Sequence, residues 1–186
     1  MTEKEKMIAG ELYAPNDKEL IDDRYQARVL MHKINTLSID NIEERNKAAN
    51  QLLSNAGENL YVEPPFYCDY GYNIKTGKNF YTNFNCCILD VSTVTIGDNV
   101  MFAPNVQVYT ATHPLDHKTR NSGVEFAKPI VIGNNVWVGG NSTICPGVTL
   151  GNNVVVGAGS VVTKSFPDDV VIAGNPAKII KTIDNS

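Results

Sequence analysis

The sequence predicts a mainly β protein: a parallel β-helix wound from six-residue rungs, with a helical segment before it and one long loop inside it. Three observations carry that expectation. Aliphatic residues stand six apart at Ile132, Val138, Ile144, Leu150, Val156 and Val162. Glycine fills the second place of most of these rungs (Gly133, Gly139, Gly151, Gly157), and the fifth place is small or β-branched (Val136, Ser142, Val148, Val154, Ser160). The same phase returns upstream at Ile96, Phe102 and Val108, with a weaker set at Ile74, Phe80 and Cys86. A spacing of six fits neither the helical period nor strand alternation; it is the mark of an internal repeat.

Each rung supplies a short strand and a turn. The aliphatic first residue points inward and stacks on its equivalents in the coils above and below, while Gly and Asn in the turns tolerate left-handed backbone angles. One rung buries nothing alone, so stability comes from neighbour stacking on neighbour. Three rungs make one triangular coil.

Residues 1–60 carry no rungs and read as helices. Asn16 with Glu19 resembles a capping box opening a helix over Asp17–Leu37, with Leu20, Tyr25, Val29 and Leu30 sharing a face. Asp40 with Glu43 repeats the signal ahead of Ile42–Ser54, and Gly57 suits a C-cap. This segment is expected to cover one end of the coil, where an open β-helix would expose unpaired backbone. The division is therefore an N-terminal helical region, 1–60, and a β-helix, 61–183, interrupted by a loop at 109–129.

Composition narrows the function classes. The net charge of −4 argues against nucleic acid or an anionic membrane as the main partner. No apolar run is long enough to span a bilayer and no signal-peptide pattern opens the chain. Cys68, Cys86, Cys87 and Cys145 form no C-x-x-C pair, which suits reduced structural residues of a cytoplasmic protein.

Chemistry is expected where the rungs stop. Between Val108 and Ile130 the chain holds two of its three histidines, His113 and His117, with Asp116, Arg120 and Glu125. A long interruption in a regular coil is commonly functional. Histidine moves protons near neutral pH, and Pro114 restricts the backbone of His113 to extended conformations.

At this point the chain resembles the maltose and galactoside O-acetyltransferases, a sugar-modifying branch of the left-handed hexapeptide β-helix family. The segments that carry the resemblance are MIAGELY, CDYGYNI, NFYTNFN, LDVSTVTIGDN, YTATHPLD, IGNNVWVGG, CPGV, VVTK and AGNPAKII. The LDV and YTATHPLD forms stand nearer the maltose type. The resemblance implies a left-handed coil, transfer of acetyl from acetyl-CoA to a sugar hydroxyl, and a homotrimer with active sites between neighbouring β-helices. It implies His113 as the catalytic base and Asn83, from Y-x-N-F-N, beside the acetyl group. Asp69 and Tyr81 fall at or beside acceptor-contacting positions. Gly140, Ala158, Thr163, Lys164, Lys178 and Lys181 fall on the CoA groove, with Trp137 along the pantetheine arm. Two departures stand out. Val91 replaces an acidic residue of the galactoside enzymes, which argues against a galactoside acceptor. Lys178 and Lys181 replace arginines, which keeps charge but loses bidentate phosphate binding.

The residues support this chemistry in their own right. A neutral imidazole that removes the hydroxyl proton contributes about 10²–10⁴ in rate. The tetrahedral oxyanion needs a fixed donor, either the Asn83 amide or a backbone N–H at Gly139–Gly140. The second imidazole nitrogen needs an acceptor; Asp116, Glu125 and a backbone carbonyl are candidates, and Glu125 also counts among the acceptor-binding residues. No cysteine sits in a nucleophile motif, so direct transfer in a ternary complex is favoured. No metal is expected: a zinc site of the hexapeptide carbonic anhydrase kind needs three histidines, and the third here, His32, lies in the helical region. Other acceptors (an antibiotic, serine, an oligosaccharide) and a non-catalytic β-helix binding module are the remaining alternatives.

Overall fold

The computed structural model describes residues 1–186. After three helices, α1 (Glu3–Ala9), α2 (Lys18–Thr36) and α3 (Ile42–Leu52), the chain winds into a three-faced parallel solenoid. Face one stacks Tyr61–Val62, Tyr81–Thr82, Met101–Phe102, Trp137–Val138, Val155–Val156 and Val170–Gly174. Face two stacks Phe66–Cys68, Cys86–Leu89, Gln107–Tyr109, Thr143–Ile144 and Val161–Val162. Face three stacks Ile74–Thr76, Val94–Ile96, Ile130–Ile132 and Thr149–Leu150. Ala177–Thr182 folds back antiparallel on Val170–Gly174 and ends the coil on face one.

The six-residue register becomes the core. Ile132, Val138, Ile144, Leu150, Val156 and Val162 are all buried, as are Ile96, Phe102, Val108, Ile74, Phe80 and Cys86 upstream. Removing one such side chain from water is worth about 1.5–3 kcal/mol, and the register repeats that gain at every rung. Asparagines hold the corners: Asn59, Asn79, Asn99 and Asn135 all take left-handed backbone angles. Their side chains bond in a ladder, Asn59 to Asn79 at 2.9 Å, Asn79 to Asn99 at 2.8 Å and Asn99 to Asn135 at 3.2 Å. A side chain of this shape both tolerates the backbone angle and satisfies its neighbour.

The helices cap the first coil, and their apolar face joins the solenoid core: Ala27, Met31, Ile34, Ala48, Ala49, Leu52 and Leu53 belong to one continuous cluster with the rungs. Several local expectations are corrected. The cap of α2 is Asp17, whose Oδ1 accepts from the Glu19 N–H at 3.0 Å, rather than Asn16. The cap of α3 is Asn41, without a side-chain bond, rather than Asp40. Tyr25 and Val29 are exposed; the buried face of α2 runs through Leu20, Ala27, Met31 and Ile34, because those positions meet the coil. Gly57 caps no helix. An added Cβ there would stand 2.5 Å from Gly77 carbonyl atoms, so Gly57 starts the glycine column of the coil.

The interruption has more structure than a loop. Tyr109 still belongs to a face-two strand, Ala111–Thr112 pairs antiparallel with Phe126–Ala127, and a short helix, α4 (His117–Asn121), forms the tip. The arm leaves at the corner between faces two and three. At the corner between faces three and one, the stacked residues Asp98 and Asn134 are 36 residues apart because the arm lies between them in the chain, against 18 for Asn134 and Asn152 one coil later.

Candidate active site

The arm is tied to the N-terminal region. Tyr13 and Glu125 form an antiparallel bridge, with Tyr13 N–H donating to the Glu125 carbonyl at 3.0 Å and Glu125 N–H to that of Tyr13 at 3.2 Å. The Tyr13 hydroxyl donates to Oε1 of Glu125 in a short bond. Around the Tyr13 ring a second apolar cluster gathers Met7, Leu20, Tyr70, Val91 and Ala127. One buried patch therefore contains residues from α1, α2, two coils and the arm. Burial and the bond to Glu125 together raise the Tyr13 phenol above its ordinary pKa, so the hydroxyl stays a donor.

This anchorage sets the reach of His113. Its Nε2 lies 3.8 Å from the free Oε2 of Glu125, a close approach too long for a hydrogen bond. Asp116 does not orient His113: its carboxylate caps α4, accepting from Thr119 N–H at 2.8 Å and Thr119 Oγ1 at 2.7 Å. His117 opens α4 on the exposed tip, away from the clefts that His113 lines.

His113 stands on the wall between two clefts. One, of about 320 Å³, is lined by Arg24 and Arg28 of α2, Asp69, Leu89, Val91 and Glu125 among others. The second, of about 310 Å³, is lined by Thr112, Leu115, Phe126, Lys128 and Pro146. The first cleft is charged and rich in acceptors and donors; the second has a cation, a ring and a proline. Burial pushes the Asp69 carboxyl up to about 6, the charge of Glu125 adds to that, and Arg24 and Arg28 oppose it. Arg24 is held in place, donating to the Tyr70 hydroxyl and the Pro15 carbonyl, each at 2.7 Å. Asp90 organises the floor. Wholly buried, it accepts from the N–H groups of Asp69 at 3.0 Å, Tyr70 at 2.9 Å and Asn73 at 3.3 Å. Its burial raises its pKa against those three donors, and the turn that presents Asp69 hangs from it.

His113, Glu125 and Asp69 therefore meet in one cleft. The corner of His113 continues through Pro146 towards Thr163 and Lys164, which follow the next face-two strands and are exposed. The other residues singled out from sequence lie elsewhere. Tyr81, Trp137, Lys178 and Lys181 belong to face-one strands, with Trp137 half-exposed. Asn83, Gly140 and Ala158 occupy the corner between faces one and two, and the side-chain Oδ1 of Asn83 accepts from the Phe84 N–H at 2.8 Å. None of these lines a cleft with His113 in a single copy. Tyr13, Arg24, Arg28 and Tyr70 are site residues that sequence reasoning missed. Arg24 and Arg28, four apart on α2, carried the only local signal, a pair of cations on one helix face.

Known proteins with this arrangement decide the family. Residues 6–57 match the maltose acetyltransferase hexapeptide capping motif, and residues 129–164 match the bacterial transferase hexapeptide of six repeats. A Dictyostelium discoideum protein named as an acetyltransferase is 57% identical over 98% of this chain and 95% of its own. The chain belongs to the hexapeptide acetyltransferases of the maltose and galactoside type. Two solved structures of such acetyltransferases superpose closely. A maltose O-acetyltransferase from Clostridium difficile 630 is 50% identical with a TM-score of 0.98, covering 100% of this chain and 99% of that one. A galactoside acetyltransferase in complex with coenzyme A is 44% identical with a TM-score of 0.96, covering 100% and 92%. The cleft of this acetyltransferase that bears Val91 is mixed in character: Val91, Leu89 and Ala111 line it together with the charged residues.

Proposed function

We infer that this acetyltransferase moves the acetyl group of acetyl-CoA onto a hydroxyl of a sugar such as maltose or glucose, with His113 as general base. The observation that carries the reading is the position of His113 between two clefts. A two-substrate transfer needs one group that touches both reactants, and the imidazole is placed for it. In the direct step, His113 takes the hydroxyl proton as the oxygen attacks the thioester carbonyl carbon. The C–S bond then breaks, and the thiolate leaves with the proton carried by the imidazolium. The products are an acetyl ester and free coenzyme A, and no enzyme-bound acetyl group is required.

The charged cleft suits the acceptor. Asp69, Arg24, Arg28 and Glu125 offer both donors and acceptors to a polyol, and the buried Val91 leaves no acidic group at its position, which favours a glucosyl over a galactosyl acceptor. The corner running from Pro146 to Thr163 and Lys164 suits the acetyl-CoA arm; a coenzyme A complex of a relative 44% identical supports that donor. Asn83, Tyr81, Trp137, Gly140, Ala158, Lys178 and Lys181 lie on other faces. A homotrimer resolves this: the corner between faces two and three of one copy would meet face one and its following corner on the next. Asn83 of a neighbour would then supply the donor to the oxyanion, and Trp137 and the two lysines would complete the CoA groove. The free cysteines fit a cytoplasmic setting for this chemistry.

The deciding measurement is acetyl-CoA-dependent thiol release, with maltose and glucose first and a panel of other sugars, amines and antibiotics beside them. Release with the glucosyl acceptors alone supports the reading; no release with any acceptor overturns it. Sedimentation of the pure protein tests the trimer in the same preparation.

A further inference from the structure

We propose that Tyr13 is a positioning residue for His113, acting through Glu125, so that the N-terminal segment forms part of the proton-transfer apparatus. The proposal rests on the reading of His113 as the base. Its geometry is a chain of three side chains. The Tyr13 hydroxyl holds Oε1 of Glu125, and Oε2, left free, stands 3.8 Å from Nε2 of His113. The Tyr13 ring is 1% exposed and the Glu125 side chain 18% exposed, whereas the His113 side chain is 56% exposed. The positions of the first two are thus set by packing and by their shared backbone bridge, and the third is the most exposed of the three.

A plainer account of Tyr13 is that a buried hydroxyl needs some acceptor. A backbone carbonyl would serve that need without bringing a charge into a half-buried patch. The partner here is a carboxylate, and its second oxygen turns to the imidazole. That arrangement has a use in the transfer. When the hydroxyl oxygen bonds to the acetyl carbon, its proton passes to the imidazole, which becomes a cation until the thiolate takes the proton away. A fixed carboxylate beside the ring stabilises that cation, whichever nitrogen took the proton. Tyr13 transfers no proton; it stops the carboxylate from rotating and so fixes the field at the ring. The contact is long for a hydrogen bond in the free protein, as catalytic contacts often are before the reactants bind. The other charged groups around the two clefts are Arg24 and Arg28 from α2, Asp69 from the first coil and Lys128 from the arm, and they are common to every variant below.

Two readouts test the proposal. The first needs no substrate. The chain has three histidines, so the His113 ring signals are assigned in NMR spectra by their loss in His113→Ala. Those ring signals are expected to shift in Glu125→Gln, because the carboxylate beside the ring is gone. Tyr13→Phe, which keeps the ring and removes the hydroxyl, is expected to move the same signals by less. The second readout is turnover with acetyl-CoA and glucose. Glu125→Gln is expected to lower kcat about 10–100-fold with the KM for acetyl-CoA unchanged, and Tyr13→Phe about threefold to tenfold. In Tyr13→Phe/Glu125→Gln neither readout is expected to change beyond the Glu125→Gln value, since the charge whose orientation the hydroxyl fixes is already gone. Unmoved His113 ring signals, or additive losses in the double variant, overturn the proposal. Near-normal turnover in His113→Ala instead removes the base itself, a different failure.

Discussion

The uninterrupted coils from Ile130 to Val162 and the arm from Ala111 to Pro129 are joined in one chain but held by different physics. In the coils every inward residue is buried, every strand has a parallel neighbour, and each corner repeats the one beneath. In the arm the tip residues are exposed, and three local devices hold it: a short antiparallel pair, the Asp116 cap and the bridge to Tyr13. Repetition makes the coil stable and leaves it to supply binding walls rather than the base. The arm forgoes that stability, and in exchange projects a histidine between two clefts. Stability and chemistry should therefore respond to different substitutions.

The largest effect is expected in the coil. Ile144→Ala empties a fully buried rung and should cost about 2–5 kcal/mol, read as a lower denaturation midpoint, with turnover of the folded protein retained. The mirror experiment is in the arm. His113→Ala should lower kcat by at least about 10²-fold while the melting temperature stays near that of the wild type. A large loss of stability in His113→Ala, or of kcat per folded molecule in Ile144→Ala, would break the distinction.

Asp69 lies where the two regions meet, on the first coil but in the acceptor cleft. Its folded pKa of about 6 lies above the ordinary 3.8, so the folded protein holds this proton more tightly than the unfolded chain. The stability that follows is complete below 3.8 and is lost as the pH rises through about 6. Asp69→Asn cannot ionise. It should match the wild type in unfolding free energy at acidic pH and exceed it above that window by about 1–3 kcal/mol, read from denaturation midpoints, while raising the KM for the acceptor. The smallest effect is at a corner. Asn135 sits at a φ of 57° and accepts from Asn99, so Asn135→Ala should cost about 1–2 kcal/mol and Asn135→Gly less, because glycine takes that angle freely. Equal losses for alanine and glycine would assign the corner's stability to the side-chain ladder rather than to the backbone angle.

The sequence on its own determined the inward face of the coil, the place where the coil is interrupted and the histidine inside that interruption. It did so because a rung is a local object: six residues hold the whole rule, and the rule is then repeated. It was less reliable at the helix ends, where Asn16 and Asp17, or Asp40 and Asn41, are neighbouring residues of similar capping ability and the choice depends on where the coil begins. The tertiary structure alone decided what surrounds His113. Tyr13 and Glu125 are 112 residues apart, and Arg24 and Tyr70 are 46 apart. Nothing within either partner's neighbourhood in the chain specifies the other. They meet because α1 and α2 pack over the first coil and the arm folds back onto them, so the residues that tune the histidine come from the least repetitive parts of the protein.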